Sequence, residues 1–73
     1  MHNTLEKMIG REVNIETLER YGNHLGWLYM GYNKRRTSLI FVDDLINGRE
    51  IDVIVEFVSN ERVKIKKVIK RYF

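Results

Sequence analysis

Two residues after Tyr32 the chain carries Lys34-Arg35-Arg36, three successive cations close to an aromatic ring. Cations of this kind neutralise phosphates, and a tyrosine ring stacks on a base. The combination suits RNA or single-stranded nucleic acid, with Tyr32, Asn33, Lys34, Arg35, Arg36 and Thr37 as the contacting segment. A second basic stretch runs from Arg62 to Phe73, with six Lys or Arg and no acidic residue. Within it Lys64 and Lys66 alternate with Val63 and Ile65, which puts both lysines on the wet face of a strand. They extend the phosphate-binding surface in this reading. In the plainer reading they keep a strand soluble and discourage edge-to-edge pairing.

Other chemistry finds little support. Ser38, Ser59 and the threonines are the available hydroxyl nucleophiles, and His2 and His24 are the two histidines. No Ser or Thr stands in a glycine-flanked elbow. Asp43 and Asp44 are adjacent, and neighbours on a strand point to opposite faces, so they read as solubilising charges at a strand end or in a loop. Gly22, Gly26 and Gly31 lack the helix start and Lys-Ser/Thr of a phosphate loop and read as bends. There is no cysteine, which removes thiolate nucleophiles, thiolate metal sites and disulfides together. No catalytic group, metal or cofactor is therefore expected.

The aromatic residues leave one alternative open. Alternation puts Trp27 and Tyr29 on one face of a strand and Leu28, Met30 and Tyr32 on the other. Only one of these faces can be core in a small barrel. If Trp27 and Tyr29 are on view, the chain reads instead as a protein-interaction module or small inhibitor docking through that aromatic face or through a strand edge.

At 73 residues the chain is expected to form a single domain, residues 1–73. Its 44% hydrophobic and 32% charged residues are those of a folded protein. A core this small is marginal, so stability must come from dense apolar packing, from self-association into a homo-oligomer, or from both. No apolar run approaches a membrane span and no signal-peptide pattern opens the chain, so a soluble, cytoplasmic protein without a membrane partner is expected.

The elements that must position the basic loop follow from period and turn chemistry. Asn3 and Glu6 match a capping box, Leu5, Met8 and Ile9 form one apolar stripe, and Gly10 can end that short helix. Val13 and Ile15 alternate with polar residues as in a strand, with Thr17–Arg20 able to continue as a helical turn and Tyr21-Gly22-Asn23 as a turn or loop. Leu25–Tyr32 reads as a bent strand with two glycines. Asn47-Gly48, between Leu39–Val42 and Ile51–Phe57, predicts an antiparallel hairpin with a type I′ turn. Ser59–Glu61 makes a short connection. The last strand changes phase at Val68-Ile69, which implies a bulge near Lys67. Five strands and a short N-terminal α-helix, with no spare cover for a flat sheet, predict a mostly β, five-stranded antiparallel SH3-like or Sm-like barrel.

On these residues the chain resembles the Sm-like family of RNA-binding small barrels. The similar features are the N-terminal helix, Ile9-Gly10-Arg11-Glu12-Val13-Asn14-Ile15 as a first strand, Gly26–Asn33 as a bent second strand and Leu39–Asp44 as a third. The resemblance implies rings formed by edge-strand pairing, and RNA bases held in loops after the second and fourth strands. Tyr32, Asn33 and Thr37 would then belong to the first loop, and Ser59 and Asn60 to the second.

Overall fold

Alternation of apolar residues dominates the architecture of the computed structural model, which describes residues 4–72. The expected Asn3 cap, His2 and Phe73 lie outside the described residues. A 3₁₀ turn, Thr4–Met8, opens the chain and is followed by strand β1, Glu12–Asn14. Helix α1 covers Ile15–His24, and four strands follow: β2 (Trp27–Tyr32), β3 (Ser38–Asp43), β4 (Arg49–Phe57) and β5 (Arg62–Tyr72). All pairings are antiparallel, in the order β1-β5-β4-β3-β2. The protein is therefore mostly β, a five-stranded sheet curled into a half-barrel. Its two ends, β1 and β2, do not pair, and α1 connects them across the gap.

The inner face carries the core. Leu39, Phe41, Ile51, Val53, Val55, Val63 and Ile65 alternate along β3, β4 and β5 and are buried. Leu5 from the 3₁₀ turn, Leu18 from α1 and Trp27 from β2 close over them. Of the N-terminal apolar stripe, Leu5 is buried in the core while Ile9 stays exposed. Gly10 ends the turn in the left-handed region, at φ 90°.

The sequence between β1 and β2 forms more helix than expected. Tyr21, Gly22 and Asn23 lie inside α1 rather than in a turn, and Ile15 opens the helix rather than closing a strand. Ile15, Leu18, Gly22 and Leu25 recur at three- and four-residue spacing, so one helical stripe faces the sheet. Gly22 allows the closest approach: a Cβ there would sit 2.7 Å from Cε2 of the buried Phe41 ring. On the outer side Glu16 and Arg20 form an exposed i,i+4 pair at 3.4 Å.

The hairpin between β3 and β4 is present, with Leu39 opposite Val53 and Phe41 opposite Ile51. Its turn differs from the type I′ expectation. Asn47 keeps negative φ and only Gly48 is left-handed, at 82°, with Arg49 N donating to Ile46 O. Asp43 explains the wider connection: its Oδ1 accepts from the amides of Leu45 and Ile46 at 2.9 and 3.1 Å. Its Oδ2 lies 3.4 Å from Arg49 Nη1, and both side chains are largely buried, at 4% and 14% exposure. Asp43 is thus a structural group at the base of the hairpin, not a solvated charge. The phase change in β5 is a bulge, as expected: Ile54 faces Lys67 and Val55 faces Ile65, which leaves Lys66 without an opposite residue.

Candidate functional site

Asn33 builds the basic loop. Its Oδ1 accepts from the amides of Thr37 and Ser38 at 2.8 and 3.0 Å, and its Nδ2 donates to Thr37 Oγ1 at 2.7 Å. Arg36 N donates to Asn33 O at 3.0 Å and closes the turn. The polar groups of Asn33 and Thr37 are therefore occupied in holding the loop, with Lys34, Arg35 and Arg36 displayed on its surface.

Arg36 alone among non-glycine residues described takes positive φ, at 56°. That backbone turns its side chain back over the sheet end. The guanidinium carbon stands 5.5 Å from the centroid of Tyr32 and 5.7 Å from that of Phe57, and the two rings meet edge to face at 5.3 Å. Arg36 Nη1 also donates to Asn60 Oδ1 at 3.5 Å, which ties the β2–β3 loop to the β4–β5 connection. No carboxylate takes part. Among the described residues Lys34, Arg35 and Arg36 form no ion pair, while Arg20, Arg49, Arg62, Lys70 and Arg71 all do.

Four of the residues expected from sequence thus come together at one end of the sheet: Tyr32, Lys34, Arg35 and Arg36, with Asn33 and Thr37 as their frame. Lys64 and Lys66 lie apart on β5, which β4 separates from β3. Lys64 stands opposite Glu12 on β1 and Glu56 on β4, and Glu12 itself pairs with Arg62. Lys66 occupies the bulge and is exposed.

Trp27 and Tyr29, the expected protein-docking pair, face inward. Trp27 is 4% exposed and packs on Phe41 with centroids 6.0 Å apart, and Tyr29 meets the same ring at 5.2 Å. Burial first, then the charge of Glu19 on α1 and the neighbouring Tyr32, pushes the Tyr29 phenol above its ordinary pKa. The exposed members of β2 are instead Leu28, Met30 and Tyr32. The core claims the rings because α1 lays Leu18 and Gly22 against that side of the sheet.

No protein-family model, curated protein or solved structure matches the chain.

Phe57 is the site member that sequence reading misses. Its signal lies in the hairpin register. Pairing Leu39 with Val53 carries on to Thr37 beside Val55, where Val55 N donates to Thr37 O at 2.9 Å. Two residues further along β4, Phe57 meets the loop.

Proposed function

We propose that this chain binds RNA or single-stranded nucleic acid, without acting on it chemically, through the loop that joins β2 to β3. Lys34, Arg35 and the N–H edge of Arg36 contact phosphates. Arg36, Tyr32 and Phe57 offer flat surfaces on which a base or sugar packs. One observation carries this reading: Arg36 is stacked over two rings, and among the described residues neither it nor its two basic neighbours has a carboxylate partner.

The physical reason is a difference in what each charge gains on binding. A cation already paired with Asp or Glu gives up that pair on meeting a phosphate, whereas an unpaired one only displaces water and counterions. Holding the guanidinium on aromatic faces also removes much of the side-chain entropy that capture would otherwise cost. The likeness of the chain to Sm-like proteins supports the same reading, with RNA as the natural form of the ligand. Lys66 lies outside the loop and adds long-range attraction rather than a contact in the site.

Fluorescence anisotropy with a labelled single-stranded oligouridine tests the proposal. Saturable binding is expected, weakened several-fold by Arg35→Ala and more by Arg35→Ala with Arg36→Ala. Binding that the double substitution leaves unchanged would sink it.

A further inference from the structure

We propose that two copies of the chain pair through their β2 strands, antiparallel, so that the two half-barrels share one continuous sheet. The three stretches of free strand edge differ sharply. On β5 the residues beyond Ile65 pair only with β4, and this edge carries Lys66, Lys67, Lys70 and Arg71 within seven residues. Such charge blocks edge-to-edge pairing. β1 is three residues long, too short to template a strand. β2 is six residues with no charged residue and no proline, and among the described residues only β3 pairs with it.

The backbone of β2 is poised for a partner. Asp44 N donates to Gly26 O and Asn33 N donates to Ser38 O, so Gly26 and Asn33 direct these groups toward β3. By alternation the amides of Trp27, Tyr29 and Tyr32 point to the open side. Helix α1 lies under the inner face, where Gly22 meets Phe41. The register shift at Met30 limits how many ladder bonds can form. The outward side chains Leu28 and Met30, 46% and 64% exposed, supply apolar area beside it, and Leu45, 78% exposed, packs on Gly26 at the start of the same strand.

Charge selects a second copy as the occupant. Antiparallel pairing sets the Tyr32 end of one β2 beside the Trp27 end of the other. The Tyr32 end leads into Lys34, Arg35 and Arg36, and the Trp27 end lies opposite Asp43 and next to Asp44, an exposed carboxylate with no ion pair among those described. The two-fold therefore brings each basic loop toward the other copy's Asp44, twice over, an attraction across solvent that leaves the three cations open to phosphate. Meanwhile the two β5 strands lie at opposite margins of the shared sheet, seven strand positions apart. The net positive charge of each copy thus opposes association least at this edge.

Sedimentation equilibrium from micromolar to millimolar protein, with amide exchange followed by NMR, tests the proposal. A dimer is expected in which exchange at Trp27, Tyr29 and Tyr32 slows as concentration rises. Met30→Lys is expected to leave a folded monomer. Asp44→Lys, in an exposed loop position, should weaken the dimer roughly tenfold, and adding Arg35→Glu should restore most of it. A monomer at every concentration overturns the proposal. So does a dimer whose Trp27, Tyr29 and Tyr32 amides exchange as in the monomer, or an Asp44→Lys defect that Arg35→Glu does not relieve.

Discussion

Asn33 and Thr37 are joined twice, by Nδ2 to Oγ1 at 2.7 Å and by the Thr37 amide to Oδ1 at 2.8 Å. This double link fixes the loop that displays Lys34, Arg35 and Arg36. Asn33→Ala removes both bonds and the Oδ1 contact to Ser38 N. A loss of about 1–2 kcal/mol in folding stability is expected, read as a lower midpoint in urea. Asn33→Asp keeps the acceptor oxygens and loses only the donor, so it should fall between the two. A full-strength midpoint for Asn33→Ala would mean that the loop is held by something else.

Arg36 separates stability from binding. Its φ of 56° is costly for a residue with a Cβ, by about 1 kcal/mol. Arg36→Gly removes that strain along with the stacking on Tyr32 and Phe57, so thermal stability should hold or rise while nucleic-acid affinity falls. Arg36→Ala keeps the strain and loses the packing, and it should melt below both. A glycine variant that binds as well as the parent would show that the guanidinium makes no contact with ligand.

The helix seat is a steric matter. Gly22→Ala places a methyl 2.7 Å from Phe41 Cε2, and Phe41 is 1% exposed with no room to retreat. The gain in helix propensity offsets part of the clash, and a net loss of about 1–2 kcal/mol is expected. Trimming the ring with Phe41→Leu in the same chain should recover some of it. If Gly22→Ala alone melts higher than the parent, α1 does not press on β3 as described.

On the outer face Glu50 and Asp52 share a site. Asp52 Oδ2 takes a hydrogen bond from Arg71 Nε at 2.9 Å, while its Oδ1 is buried without a partner when both carboxyls are ionised. Protonated Glu50 hydrogen-bonds to the Asp52 carboxylate. Hydrogen bonding to Asp52 chiefly, then burial and the Asp52 charge, raises the Glu50 pKa, against a lowering by Arg71. A carboxyl whose pKa rises on folding favours the fold while protonated, so its contribution is complete below the unfolded pKa and fades as pH climbs through the folded one. Glu50→Gln should therefore melt above the parent at neutral pH, with the gap closing as the solution is acidified into the carboxyl range. Melting curves from pH 3 to 7 check this, and a gap that widens on acidification would reverse the assignment.

Much of the sheet is legible in the sequence because alternation is local. Val63-Lys64-Ile65-Lys66 declares its faces, and the phase break after it declares the bulge. Helix α1 is less so, since Val13 and Ile15 alternate as well as a strand would, and only Leu18, Gly22 and Leu25 further on reveal the longer period. The wide turn before Arg49 depends on Asp43 accepting two amides and meeting a buried arginine, a relation that spacing cannot show. The same holds for the site. Tyr32 through Thr37 stand together in the chain, but Phe57 and Asn60 join them only through the register of β3 on β4.

Salt titration of oligouridine binding tests the central claim most directly. With Lys34, Arg35 and Arg36 each neutralising a phosphate, log affinity should fall linearly with log salt at a slope of about −2. Replacing Lys34 and Arg35 with alanine should flatten that slope to roughly a third. Affinity that holds constant from low to high salt, or a slope the double substitution leaves untouched, contradicts the account.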